Sequence, residues 1–106
     1  MSVRPAHIVI VEDEPVTRSA LVSYLGSFGY RMSECDSAEK AERILAQDSA
    51  DLLIVDINLQ GKDGLEITRE HRARSEIGII LLSGRTDDVD RIVGLELGAD
   101  DYVCKP

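Results

Sequence analysis

Long hydrophobic runs are missing from this chain. The apolar stretches at residues 8–11, 52–55 and 79–82 are four residues each, far short of the roughly 20 a helix needs to cross a bilayer. Residues 1–6 also lack the apolar stretch of an export signal. Cysteine is scarce: Cys35 and Cys104 have neither metal-ligand spacing nor the density of a secreted disulfide scaffold, so a reducing cytosol is the simplest setting. Basic residues are outnumbered, 12 against 20 acidic, for a net charge of −8. That is the wrong sign for a nucleic-acid or anionic-membrane surface, whereas an acid-lined cleft suits a divalent cation. Apolar residues are plentiful at 43%, enough for 106 residues to form one domain around one core without disulfides or metal.

The three apolar runs are β-branched or leucine-rich with no polar alternation, the pattern of parallel strands covered on both faces. Residues 31–35 and 102–104 are more mixed, as flanking strands are. Gly29 and Gly98 precede them as helix exits. Between the strands lie helical patterns. Pro15 suits a first turn and is followed by Ala20, Leu21, Tyr24, Leu25 and Phe28 at three-and-four spacing. Ser37 opens a second helix as a partial cap, with Lys40 three residues on, and Ala38, Ala41, Ile44 and Leu45 form its apolar side. Residues 64–74 and 87–97 complete the set. Strand and helix alternate through five strands, which with right-handed crossovers predicts an open α/β sheet.

Polar residues follow the apolar runs in a telling way: Glu12 and Asp13 after the first, Asp56 after the third, Ser83 after the fourth and Lys105 after the fifth. In an open parallel sheet the carboxyl ends of the strands share one edge, and ligands bind there where strand order reverses. A polar residue is the usual stop for any single strand, but five together form a constellation. Three converging carboxylates raise one another's proton affinity unless a cation neutralises them, and hard oxygen ligands with open positions suit Mg²⁺. A carboxylate can attack a phosphoryl group when a metal and an ammonium offset charge on the transferring oxygens and a hydroxyl orients them. Asp56 ends the central strand alone and is the nucleophile in this reading. The adjacent Glu12 and Asp13 fit metal holding, one directly and one through water, and the main-chain carbonyl of Asn58 offers another ligand.

These residues, VEDE at 11–14, D-I-N at 56–58, Ser-Gly at 83–84 and GADDYVCKP at 98–106, resemble the receiver domains of bacterial response regulators over the whole chain. The GADDY stretch resembles the OmpR/PhoB class of winged-helix transcription factors. The resemblance implies a flavodoxin-like (CheY-like) doubly wound α/β fold, a five-stranded parallel sheet in the order 2-1-3-4-5. It implies Asp56 as phosphoacceptor from a sensor histidine kinase, Mg²⁺ as cofactor held by Glu12, Asp13, Asp56 and Asn58, and Ser83 and Lys105 as phosphoryl contacts. Ser83 and Tyr102 would be the switch pair, and the Lys105–Pro106 bond would be cis.

Phosphorylation would draw the Ser83 hydroxyl inward and let Tyr102 fill the vacated space, carrying the signal to the fourth helix. There Val89, Ile92, Val93, Leu95 and Leu97 make an apolar arc wider than one buried stripe needs, so Ile92 and Leu95 are expected to face out. By the same resemblance that face forms a homodimer through the fourth helix, fifth strand and final helix, with Arg91, Ile92, Leu95, Glu96, Asp100 and Asp101 at the contact. Three departures from the family pattern stand out. Ser83 replaces the commoner threonine, and Gln60 replaces a proline, leaving residues 59–63 looser. The sequence stops at Pro106, before the final helix and before the expected DNA-binding domain.

Two other classes remain open. Phosphohydrolases of the haloacid-dehalogenase type use similar groups, but carry a second Asp two residues after the nucleophile, where this chain has Asn58, which cannot act as general acid or base. A phosphorylation-independent interaction module would not need the acidic set. His7, His71 and both cysteines read as structural, and Arg69, Arg72, Arg74, Glu66 and Glu70 as a solvated helix face.

Overall fold

The apolar runs become strands and the amphipathic segments between them become helices, in strict alternation: β1 (His7–Val11), α1 (Pro15–Gly26), β2 (Arg31–Cys35), α2 (Ala38–Gln47), β3 (Leu52–Asp56), α3 (Gly64–Arg74), β4 (Gly78–Ser83), α4 (Asp88–Glu96) and β5 (Asp101–Cys104). This computed structural model describes residues 4–59, 64–84 and 88–105, the side chains of 88–91 excepted. The strands form one sheet in the order β2-β1-β3-β4-β5, and every neighbouring pair is parallel. The sheet order read from the resemblance is the observed one.

Side chains alternate across a strand, so each central strand serves two cores. Val9, Val11, Leu53, Val55, Ile79 and Leu81 point to the face covered by Ala38 and Ala41 of α2 and Ile67 of α3. Ile8, Ile10, Ile54 and Leu82 point to the other face, where Leu21, Val22 and Leu25 of α1 lie. Val9, Val11, Leu53, Val55, Ile79 and Leu81 are fully buried, each contributing about 1.5–3 kcal/mol of transfer free energy. The runs carry no polar residues because nearly every position on both faces is buried, Leu52 and Ile80 alone being partly exposed.

Local chemistry sets the ends. Pro15 stands in the first turn of α1, where its missing N–H costs nothing, and Glu14 caps the helix by accepting from the amides of Val16 and Thr17. Glutamate is not among the usual N-cap residues, so the sequence alone does not mark this cap. Ser37 accepts from the Lys40 amide at 3.3 Å to start α2. Gly29 and Gly98 hold φ of 91° and 115°, the left-handed backbone a helix exit needs.

Some expectations shift. Asp56 and Ser83 are the last residues of β3 and β4 rather than the first beyond them, because ladder pairing continues through Asp56↔Leu82 and Ser83↔Cys104. His7, Gly78 and Asp101 likewise extend their strands by one at the amino end. The apolar stripe of α1 is narrower than its spacing implies. Tyr24 and Phe28 are each 64% exposed and pack ring edge to face 5.1 Å apart, while Leu21 and Leu25 reach the sheet. Leu97 falls just past the end of α4. Asp87, residues 60–63 with Gln60, the side chains of Val89 and Arg91, and Pro106 with its peptide bond lie outside the described residues.

Both histidines are structural, as the sequence reading has them. His7 is buried; Nδ1 donates to the Ser49 carbonyl at 2.8 Å and Nε2 lies 2.7 Å from the Ser33 hydroxyl. A carbonyl can only accept, so Nδ1 carries the proton. His71 places Nε2 2.8 Å from Glu42. Both cysteines are free, Cys35 buried and Cys104 exposed.

Candidate functional site

Four strand ends deliver the polar groups to one edge of the sheet. Glu12 and Asp13 follow β1, Asp56 closes β3, Ser83 closes β4 and Lys105 follows β5. Register places them side by side: Val11 pairs with Val55, Asp56 with Leu82 and Ser83 with Cys104. The Lys105 amide donates to the Ser83 carbonyl at 2.7 Å, one step past the last pair.

The carboxylates converge. Glu12, Asp13 and Asp56 each offer an oxygen within 4.8 Å of the others. Glu12 is fully buried and Asp56 3% exposed, whereas Asp13 is half-buried. Lys105 bridges two of them, with Nζ 2.6 Å from Glu12 Oε1 and 2.9 Å from Asp56 Oδ2. The remaining Asp56 oxygen accepts from the Asn58 amide at 2.9 Å. Glu12 Oε2 is buried without a hydrogen-bond partner among the described residues. A buried carboxylate oxygen left unpaired is costly, and one ammonium cannot balance three acids.

Proton affinities follow this arrangement. Burial first, and then the shared hydrogen bond and like charge of Asp56, push Glu12 up to about 7, against the pull of Lys105. Burial also works against ionised Asp56, but hydrogen bonds from Glu12, the Asn58 amide and Lys105 outweigh it and hold this carboxyl below the usual range. Burial opposes the charged Lys105 as well, and its bonds to Glu12 and Asp56 still hold it above its ordinary value. Glu12 thus holds a proton more readily than an ordinary carboxylate, while Asp56 favours its charged form. Such a set can accept a divalent cation in place of that proton.

The other residues read from the sequence fall around this pocket. Ser83 is fully buried at the end of β4. Tyr102 packs against the larger core with its hydroxyl buried and without a hydrogen-bond partner among the described residues, so the phenol is already turned inward. Asn58 is exposed, and only its amide is seen to touch Asp56. Ile92 and Leu95 do face out, 60% and 40% exposed, and Val93 joins them at 39%. Glu96, Asp100 and Asp101 are exposed.

The helix face read as solvated is partly engaged. Arg72 donates to the Gly98 carbonyl at 2.9 Å and to Asp100 at 2.8 Å, and Arg74 pairs with Glu42 at 2.9 Å. Arg18 is a neighbour of the site that the sequence pattern does not mark. Its Nη1 donates to the main-chain carbonyl of Glu12 at 2.8 Å and its Nε to Glu34 at 3.2 Å. The available signal is that helical side chains lean toward the amino end, so a long cation in the first turns after an acid pair reaches back over it.

A two-fold-crossed parallel sheet with acids after its first strand, an aspartate closing the third and a lysine after the fifth defines a class. Residues 8–106 match the family described as the response regulator receiver domain, and the chain belongs to that family: it is a receiver domain of a two-component response regulator. Among curated relatives, the TorCAD operon transcriptional regulatory protein TorR of Escherichia coli (strain K12) is 55% identical over 102 residues, covering 96% of this chain and 44% of that protein. The transcriptional regulatory protein AruR of Pseudomonas aeruginosa is 53% identical over 104 residues, covering 93% and 43%. The chain therefore spans less than half the length of these relatives, which are named as transcriptional regulators rather than enzymes.

Solved structures agree. The crystal structure of the receiver domain of the TMAO respiratory system response regulator TorR superposes with a TM-score of 0.91 at 55% identity, covering 96% of this chain and 85% of that one. The response regulator TrrA of Thermotoga maritima, solved in complex with Mg²⁺-BeF, gives a TM-score of 0.84 at 31% identity, covering 95% and 87%. No helix among the described residues is long and apolar enough to cross a membrane.

Proposed function

We propose that Asp56 accepts a phosphoryl group from the phosphohistidine of a sensor kinase, with Mg²⁺ held by Glu12, Asp13, Asp56 and the Asn58 carbonyl. The observation that carries this reading is the convergence of three carboxylates on a pocket where Glu12 Oε2 is buried and unpartnered. That oxygen and the hard, all-oxygen donor set fit a small divalent cation. When bound, the ion supplies positive charge against the transferring oxygens.

The chain's own residues do the rest. An Asp56 carboxylate oxygen forms the new bond to phosphorus as the bond to the donor's imidazole nitrogen breaks, and the electron pair of that bond leaves with the imidazole. Lys105, already charged and 2.9 Å from Asp56, turns to the phosphoryl oxygens and offsets their charge. Ser83, on the neighbouring strand end, donates its hydroxyl to one of them. The Asn58 amide fixes the attacking carboxylate by holding Oδ1 at 2.9 Å. The only chemistry catalysed in this reading is the chain's own phosphorylation and dephosphorylation.

The readout we propose runs from Ser83 through Tyr102 to α4. The exposed Ile92 and Leu95, with Arg91, Glu96, Asp100 and Asp101, then form a homodimer contact in the longer protein. An attached winged-helix DNA-binding domain in a cytoplasmic regulator is part of the same proposal. It is supported by relatives named as transcriptional regulators and more than twice as long.

Incubation with acetyl phosphate and Mg²⁺, followed by intact mass measurement, tests the chemistry. We expect one labile phosphoryl adduct on the wild type and none on Asp56→Asn. Continuous turnover without an adduct would instead indicate a phosphohydrolase, and an inert chain a passive interaction module.

A further inference from the structure

We propose that Arg18 is a positioning residue for the metal pocket: its guanidinium holds the peptide joining Glu12 to Asp13 and so sets the direction of both acids. The inference rests on the functional reading above. Glu12 is the first residue beyond β1. Its amide is still held by the strand pairing, donating to the carbonyl of Cys35, the β2 partner of Val11, at 3.0 Å. The Glu12 carbonyl lies past that last pair and accepts from Arg18 Nη1 at 2.8 Å.

That carbonyl belongs to the peptide between the two acids. Turning the peptide would swing Glu12 away from Lys105 and Asp56, and Asp13 away from the shared oxygen cluster. Arg18 is itself aimed. Its Nε donates to Glu34 at 3.2 Å, and Glu34 stands on β2 in register with Ile10. A guanidinium is planar, so fixing Nε also fixes where Nη1 points. The Arg18 side chain is 21% exposed and that of Glu34 47%, so the pair is a partly shielded strut between β2, α1 and the acid pair.

Charge and position give opposite signs for the same substitution. Arg18 is a cation near a site that binds a cation, so removing it by Arg18→Ala strengthens Mg²⁺ binding if only charge matters. If Arg18 acts by holding the Glu12 peptide, the same change weakens binding. Loss of a group that orients metal ligands typically costs 10–100-fold in affinity, and we expect a loss of about tenfold here. Arg18→Lys keeps the charge but lacks the fork that spans Glu34 and the carbonyl, so its loss should be intermediate.

The test uses the full chain, isotope-labelled, as wild type, Arg18→Ala, Arg18→Lys and Glu34→Gln. Mg²⁺ is titrated while the Asp13 and Asn58 amide resonances are followed. Without Mg²⁺, Arg18→Ala should shift the Glu12 carbonyl carbon and the Asp13 amide nitrogen, because the bond to that carbonyl is gone. With acetyl phosphate, the adduct rate of Arg18→Ala should fall at limiting Mg²⁺ and recover at saturation. Glu34→Gln should show a smaller loss of affinity, and it carries the test with Arg18→Lys if Arg18→Ala does not fold. Equal or tighter Mg²⁺ binding by the Arg18 variants, in a wild type that binds Mg²⁺ and is phosphorylated, would overturn this inference alone. A wild type that does neither overturns the functional reading and this inference with it.

Discussion

Raising the pH with Mg²⁺ absent should weaken the folded chain through a single residue. Glu12 titrates at about 7 in the fold against an ordinary 4.5. Between those values the native chain holds a proton that the unfolded chain has lost. Stability then falls as pH rises, because the native state binds more protons than the unfolded state. The contribution is fully present below 4.5 and gone once pH passes about 7. At about 1.4 kcal/mol per pH unit this amounts to roughly 3 kcal/mol, a large part of the 5–15 kcal/mol typical of a domain. Asp56 and Lys105 do not interfere, since the one is held below its ordinary value and the other above, both outside this window. The assay is urea unfolding followed by far-ultraviolet circular dichroism, from about pH 5 to about pH 8, in chelator and in saturating Mg²⁺. Glu12→Gln is the reference because it keeps both histidines and removes this titration, while Asp56 and Lys105 keep their contact with each other. We expect the wild type in chelator to lose up to roughly 3 kcal/mol relative to Glu12→Gln across that range, and Mg²⁺ to restore the loss at the alkaline end only. Parallel curves for the two proteins, or Mg²⁺ stabilisation independent of pH, would refute the reasoning.

Gly64→Ala should destabilise by about 1–3 kcal/mol despite gaining helix propensity: a Cβ there would overlap the Asp56 carbonyl and lie 2.8 Å from the Ile57 Cα. Chemical denaturation measures the cost, and a stabilised variant would contradict the packing. Tyr102→Phe removes a buried hydroxyl with no partner among the described residues and should stabilise the inward ring by about 1 kcal/mol, read as a higher denaturation midpoint; a lower midpoint would show that the hydroxyl is satisfied. In the native chain a disulfide reagent near neutral pH should titrate Cys104 alone, because burial first of all pushes the Cys35 thiol up to about 11. Cys104→Ser should then abolish the fast phase, and a fast phase that persists would place Cys35 within reach of solvent.

Much of this architecture was open to reading because a strand covered on both faces leaves an unmistakable trace. Residues 8–11, 52–55 and 79–82 carry no polar side chain, and the groups that end those runs share an edge once all strands are parallel. The acid pair, Asp56 and Lys105 are brought together as their positions after the runs suggested. The contacts that local spacing does not encode depend on tertiary register. Arg18 meets Glu34 across 16 positions, a pairing set by how α1 lies over β2 and not by local spacing. Arg72 reaches Asp100 across 28, so a residue with the look of a solvated helix face ties α3 to the start of β5. Tyr24 and Phe28 erred the other way. Their spacing fits the apolar stripe, yet α1 is satisfied by Leu21, Val22 and Leu25, and the two rings cover each other instead.

Lys105 and Glu12 stand 93 positions apart and touch at 2.6 Å. The pocket therefore has no local precursor: until β5 docks beside β4, Glu12 and Asp56 lack the ammonium of Lys105 that bridges them. Loop-closure entropy makes such distant pairings late events in folding. On the proposed function, affinity for a divalent ion becomes a gauge of whether the final strand is seated, and a lesion that only frays this edge costs that affinity while most of the core stays intact.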